Sequence, residues 1–153
     1  MAQFARPNGD LTEGSWTTIP LWSKVDEVTF DDADFIQTTG AGESYCELGL
    51  SNLTDPAVGT GHIIRFRMRS SGSGAAENLT VSLYQLTTEI DTSGNLSNRS
   101  ANFAEKTYTL SEAQANAITN YSGLRIRFTP AHGDTETIDV SWAEFEVPSA
   151  GSA

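Results

Sequence analysis

The chain has 153 residues, 38% hydrophobic and 19% charged; this fits one soluble globular domain with a real core and excludes a disordered chain. Its net charge of −11 and pI near 4.4 argue against nucleic acid as a partner, because phosphate binding needs a dominant basic field. The single cysteine, Cys46, excludes an intrachain disulfide and, with Tyr45, Leu48 and Leu50 around it, reads as a buried, inert thiol in a strand.

Residues 1–15 are polar and carry Pro7, Gly9 and Gly14. They read as an extended N-terminal arm, ahead of a single domain over 16–148 and a loose tail over 149–153. The apolar patch from Trp16 to Trp22 anchors that arm or forms a first strand. An acidic, turn-rich stretch runs from Val25 to Asp34, and Phe35 to Thr38 is a strand candidate.

Further strands follow at turn-punctuated intervals: Ser44 to Leu53, Gly61 to Arg69, Asn78 to Gln85, Thr87 to Asp91 as a hairpin partner, and Glu105 to Leu110. Ser70 to Gly74 and Ser93 to Asn102 read as turn and flexible stretch. Ser111-Glu112-Ala113-Gln114 is a capping box, which predicts a short helix near 112–119. Residues 124–129 and Ile138 to Val147 complete the set. In the last strand Ile138, Val140 and Trp142 are in phase with one another, whereas Ala143, Phe145 and Val147 have the opposite phase. One extra residue near Trp142 restores a common core face, so a β-bulge is expected there. Short alternating strands with one small helix predict an all-β fold: an antiparallel β-sandwich, jelly-roll-like.

Two segments alternate arginine with apolar residues, Ile64 to Arg69 and Leu124 to Phe128. A period of two puts Ile64, Phe66, Met68, Leu124, Ile126 and Phe128 inward and Arg65, Arg67, Arg69, Arg125 and Arg127 outward. Five of the nine basic residues thus form an outward-facing stripe, expected on one sheet. Two readings of the stripe carry equal weight. The arginines pair across strands with glutamates such as Glu47, Glu144 or Glu146, or, together with Arg6 of the arm, they form an intermolecular interface.

Chemistry is weakly signalled. Asp26, Glu27, Asp31, Asp32 and Asp34 are oxygen donors of the kind calcium takes, but they lack the spacing of a calcium loop, and a solvated turn is the stronger reading. His62 and His132 sit beside glycine in turn-like sequence, and Cys46 has no partner at metal-ligand spacing. No cofactor is therefore expected. No G-x-S-x-G is present, and no carboxylate pair stands out from twenty acids, so an enzyme is not expected. Among the aromatics Trp16, Trp22, Trp142, Tyr45, Tyr84, Tyr108 and Tyr121, core packing outweighs sugar stacking. Tyr84 and Tyr108 are the candidates for exposure and glycan contact. The chain opens on no charged-then-apolar leader, and no apolar run approaches the ~20 residues of a bilayer span, so no membrane partner is expected. Asn-x-Ser/Thr matches at Asn52, Asn78 and Asn98 read as accidental outside a eukaryotic secretory pathway.

Several stretches together resemble a family of small β-sandwich domains of phage virion proteins and related bacterial surface modules. They are Arg6 to Asp10 with Gly14-Ser15-Trp16, Ile19 through Ile36, Leu50 to Pro56, Gly61 to Arg69, and Leu110 to Ala115 with Ile118 to Tyr121. The resemblance implies a jelly-roll-like module and supplies no catalytic residue. On it rests the expectation of a capsid decoration protein on the virion exterior, made in the host cytoplasm. Such a protein bridges capsomers without covalent chemistry, and its partners are the major capsid protein and its own copies in a homotrimer. A carbohydrate-binding module is the alternative from another class, and a tail or head–tail component is the alternative within the virion class.

Overall fold

The computed structural model describes residues 1–39, 44–70, 78–96, 102–131 and 137–150. The strands are β1 (Gln3–Ala5), β2 (Pro7–Thr12), β3 (Trp16–Thr17), β4 (Ile36–Thr38), β5 (Cys46–Leu50), β6 (Ile63–Ser70), β7 (Asn78–Gln85), β8 (Thr88–Leu96), β9 (Ala104–Thr109), β10 (Leu124–Ala131) and β11 (Ile138–Val147). A 3-10 turn spans Trp22–Lys24, and one short helix, α1, spans Glu112–Asn116. The Ser111–Gln114 capping box is formed in both directions, as its spacing predicts.

The strands make two antiparallel sheets packed face to face. One runs β3-β4-β11-β6-β9 with β1 also on β11; the other runs β2-β5-β10-β7-β8. Strict alternation explains the layering. Along β6 and β10, every second residue is buried, so one face of each strand enters the interlayer and the other keeps its polar groups. Phe66 and Phe128, one from each sheet, meet edge to face at 6.1 Å, and Trp16 packs on Phe128 at 6.3 Å. Cys46, Leu48, Ile64, Met68, Leu83, Ile126 and Phe145 fill the space around them.

Two expectations need correction. The arginine strands β6 and β10 belong to different sheets, so the arginines form two clusters on opposite outer faces and not one stripe. The resemblance of the two segments is one of local pattern, which says nothing about pairing. Residues 1–15 are not an arm either. Gln3–Ala5 pairs with Phe145–Val147, and β2 pairs with β5, so this segment closes an edge of both sheets. Its polar sequence hides this because edge strands tolerate polar residues and bulges, and β2 shifts register twice.

The predicted bulge is present. The β11–β6 register shifts between Val140 and Trp142. Ile138 and Val140 therefore face the core with Ala143, Phe145 and Val147. Trp142 pairs with the outward Arg67 and lies on the outer side, with its indole N–H donated to the Glu27 carbonyl at 2.8 Å. His132, Asn98, Ser71 to Gly74 and residues 151–153 lie outside the described residues.

Candidate functional site

The two outer faces differ in what covers them. On the six-stranded sheet, the acidic stretch after the 3-10 turn folds across β6 and β11. Asp32 accepts from Arg67 Nε and Nη2 at 2.9 and 2.6 Å and from the Ser141 hydroxyl at 2.7 Å. The Phe30 ring lies 3.8 Å from the Arg67 guanidinium and edge-on to Trp142. Arg69 binds Asp139 at 2.7 Å and sits over Phe35 and Phe103. Further along, Arg65 pairs with Glu146 and Glu144, and Arg6 holds Glu144 at 2.9 Å. Burial raises the Glu144 carboxyl above its ordinary range although both arginines pull it down.

Asp31, Asp32 and Asp34 are thus structural partners. Asp34 meets Lys24 at 3.4 Å, and Asp31 accepts from the Ala33 amide. Glu27 stands apart. Burial, opposed by a backbone hydrogen bond and reinforced by Asp34 and Asp26, raises its carboxyl to about 7. Among the described residues no three histidine, cysteine or acidic side chains group as a metal would need.

The five-stranded sheet carries a different cluster on its outer face. Glu47 of β5 stands opposite Arg127 of β10, and Ser82 of β7 stands opposite Arg127 on the other side. Arg127 donates from Nε and Nη2 to Glu47 at 3.0 and 2.7 Å, and from Nη1 to the Tyr84 hydroxyl at 3.1 Å. Arg125 donates to the other oxygen of Glu47 at 3.1 Å. Glu47 is almost wholly buried beneath them, so its carboxylate is neutralised where it stands. The Arg127 guanidinium lies 3.9 Å from the ring centroids of both Tyr45 and Tyr84, a contact planar arginine makes well. Tyr45 is 37% exposed. The Ser82 and Thr92 hydroxyls, hydrogen-bonded to each other, continue this row toward the sheet edge.

The cross-strand pairing expected for Glu47, Glu144 and Glu146 is therefore present, and Asp32 and Asp139 join it. The two aspartates were not foreseen because their pairing depends on the loop fold and the β11–β6 register. Of the glycan-contact candidates, Tyr84 lies on the outer face as its phase predicts. Tyr108 does not: it packs on the core, and its hydroxyl donates to the Val81 carbonyl of the opposite sheet at 3.2 Å. Burial pushes that hydroxyl up. Tyr45, in phase with Glu47 but just ahead of β5, takes its place. His62 is buried, with Nδ1 at 3.0 Å from the Thr60 carbonyl and Nε2 at 2.8 Å from the Tyr121 hydroxyl. Burial also pushes the Cys46 thiol up, in keeping with an inert core residue.

No family model and no curated protein matches the chain. Solved structures do. A mutant of a family 29 carbohydrate-binding module is similar with a TM-score of 0.54 and 16% identity, over 98% of this chain and 95% of that one. A second family 29 module, a mutant in complex with cellulohexaose, gives a TM-score of 0.51 and 15% identity over 97% and 94% of the two chains. A family 29 module from Piromyces equi gives 0.50 and 14%, over 97% and 92%. The likeness establishes the fold as a jelly-roll-like β-sandwich. It also overturns the expectation of a capsid decoration protein. These three chains are carbohydrate-binding modules and show no phage relationship, so the major capsid protein and the homotrimer lose their support as partners.

Proposed function

We propose that the chain is a non-catalytic glycan-binding module whose ligand lies across the outer face of the five-stranded sheet, on Tyr84 and Tyr45. The observation that carries the reading is the pair of tyrosine rings held on either side of Arg127 at 3.9 Å. Sugar rings present apolar C–H faces, and a fixed aromatic ring receives them at little entropic cost. Arg127, locked by Glu47, holds both rings in place before the ligand arrives. The hydroxyls of Ser82 and Thr92 offer hydrogen bonds beside them. An open sheet face suits an extended saccharide better than a chain end. The jelly-roll-like fold shared with carbohydrate-binding modules supports the same class.

Affinity electrophoresis and calorimetry against soluble plant, fungal and bacterial polysaccharides test this. The expected result is saturable binding without release of reducing ends, weakened about ten-fold or more by Tyr84→Ala. A ten-fold loss corresponds to ~1.4 kcal/mol, the scale of one ring contact. A folded chain that binds no glycan, or a Tyr84→Ala chain that binds equally well, overturns the proposal.

A further inference from the structure

The two outer faces differ in how fully their arginines are partnered. On the six-stranded sheet Arg6, Arg65, Arg67 and Arg69 meet Glu144, Glu146, Asp32 and Asp139, four cations against four carboxylates. On the five-stranded sheet Arg125 and Arg127 share the single carboxylate of Glu47. Arg127 spends its donors on Glu47 and Tyr84. Arg125 spends one, Nη1, on Glu47; its Nε and Nη2 meet no acceptor among the described residues. Arg125 thus keeps two donors beside Tyr84, with Glu89 on the far side of that ring.

The ground beside Arg125 is bare. Arg125 is in register with Gly49, and Gly49 with Gly9, so two successive strands carry no side chain in that row. A Cβ built on Gly9 would meet nothing within 4 Å, and one on Gly49 would touch Asn8 Oδ1 at 3.6 Å and Leu11 Cδ1 at 3.8 Å. The result is a shallow trough floored by glycine backbone, with Arg125 on one side and the half-exposed Leu11 on the other. Tyr84 neighbours Arg125 on its far side. The acids near this row do not fill the trough. The Asp10 carboxylate is bound to the Leu21 and Trp22 amides, and Glu89 lies beyond Tyr84 on β8.

We infer that the trough beside Arg125 is a subsite for the carboxylate of an acidic sugar, so that the preferred ligand is a uronic-acid-containing glycan. This rests on the glycan-binding reading and names its ligand class. A saccharide stacked on Tyr84 and running toward β2 passes over Arg125, whose unused donors form the fork that receives a carboxylate at two points. The glycine floor lets the sugar ring sink far enough to reach that fork, and Leu11 offers an apolar wall. Glu89 at the opposite end repels a second carboxylate there, which fixes the direction of the chain.

The test is calorimetry of the full chain against acidic oligosaccharides built from galacturonate, glucuronate or mannuronate, each beside its carboxyl-reduced counterpart of the same linkage. At least one acidic member is expected to bind ten-fold or more tightly than its reduced form. Arg125→Gln is expected to bring that ratio near one. Gly9→Val, which fills the trough while leaving the Arg125–Glu47 contact intact, is expected to do the same, and decides the matter if Arg125→Gln does not fold. If no pair shows a preference for the acid while neutral glycans bind, the subsite is overturned and the glycan-binding reading stands. If nothing binds, both fall. A preference for the acid that survives both substitutions also overturns the subsite.

Discussion

Asp32 grips Arg67 through both carboxylate oxygens, at 2.9 and 2.6 Å, and so ties the acidic loop to the middle of the six-stranded sheet. The same carboxylate accepts the Ser141 hydroxyl at the β11 bulge, and Phe30 covers the guanidinium. One face of the sandwich is thereby closed by the chain's own loop, whereas the tyrosine pair is on the other. Asp32→Ala is expected to cost about 1–3 kcal/mol, the usual penalty for removing one partner of a charged hydrogen-bonded pair. It is also expected to red-shift Trp142 emission as the loop lifts. The hydrogen bonds from Arg67, working against burial, hold the Asp32 carboxyl below its ordinary value of 3.8. Its contribution is therefore complete above that pH and is lost as the pH falls through the lower folded value. Melts that match wild type at pH 7, with unchanged emission, would remove the loop clamp.

Glu27 works in the opposite direction. Burial, with help from Asp34 and Asp26, raises its carboxyl from 4.5 to about 7 in the folded protein, and its Oε2 is buried without a hydrogen-bond partner. Between those two values the folded chain holds a proton that the unfolded chain has released, so this group's contribution to stability declines as the pH rises from 4.5 to 7. Glu27→Gln keeps the shape and removes the titration. The variant is expected to melt higher than wild type at pH 8 and to differ little at pH 4. A melting-temperature difference that does not change across that range would show that the fold leaves the Glu27 carboxyl unshifted.

His62 sets a limit on the acid side. The Thr60 carbonyl only accepts, so Nδ1 donates to it and Nε2 accepts from the Tyr121 hydroxyl. In the neutral form both ring nitrogens are satisfied, and burial lowers the imidazole below its ordinary 6.5. A group depressed in this way supports the fold above pH 6.5, and its contribution is lost as the pH falls below that value, because the unfolded chain takes up a proton first. Tyr121→Phe strands Nε2 without a donor, at a cost of about 1–3 kcal/mol. The loss should shrink below pH 6, because an unpartnered Nε2 is free to take a proton. Equal melting temperatures for the two proteins at pH 7.5 would sink this account.

Period-two patterning made the fold class, the β11 bulge and the outward arginines readable, because a half-buried sheet imposes its alternation directly on residue order. The capping box was equally legible, being a contact between residues three apart. What stayed hidden was pairing at a distance. Arg65 and Arg125 sit in similar local patterns yet lie on different sheets. Nothing local in Gln3–Ala5 announces that it will extend β11. The candidate site shows the same division. Tyr84 followed from its phase within β7, but the phase of Tyr108 alone did not reveal that its ring reaches the opposite sheet. Tyr45 became a candidate only through the β5–β10 register that brings Glu47 against Arg127.

Gly14 links the fold to the tyrosine pair. Its φ is +56°, in the left-handed region that glycine enters freely, and a Cβ there would lie 2.1 Å from the Tyr45 carbonyl oxygen and 3.0 Å from that of Ser44. The corner is also bonded to this stretch, since the Ser44 amide donates to the Ser15 hydroxyl at 3.3 Å. Gly14→Ala therefore strains its own backbone by roughly 1 kcal/mol and forces the backbone at residues 44–45 to move. That movement carries the Tyr45 ring away from Arg127, so the variant should lose both melting temperature and glycan affinity. Tyr45→Ala removes the same ring without touching the corner. If ring displacement is the cause, the two variants weaken binding to a similar degree, but Gly14→Ala melts lower. A Gly14→Ala chain that binds as tightly as wild type would mean that Tyr45 is not part of the ligand's footing.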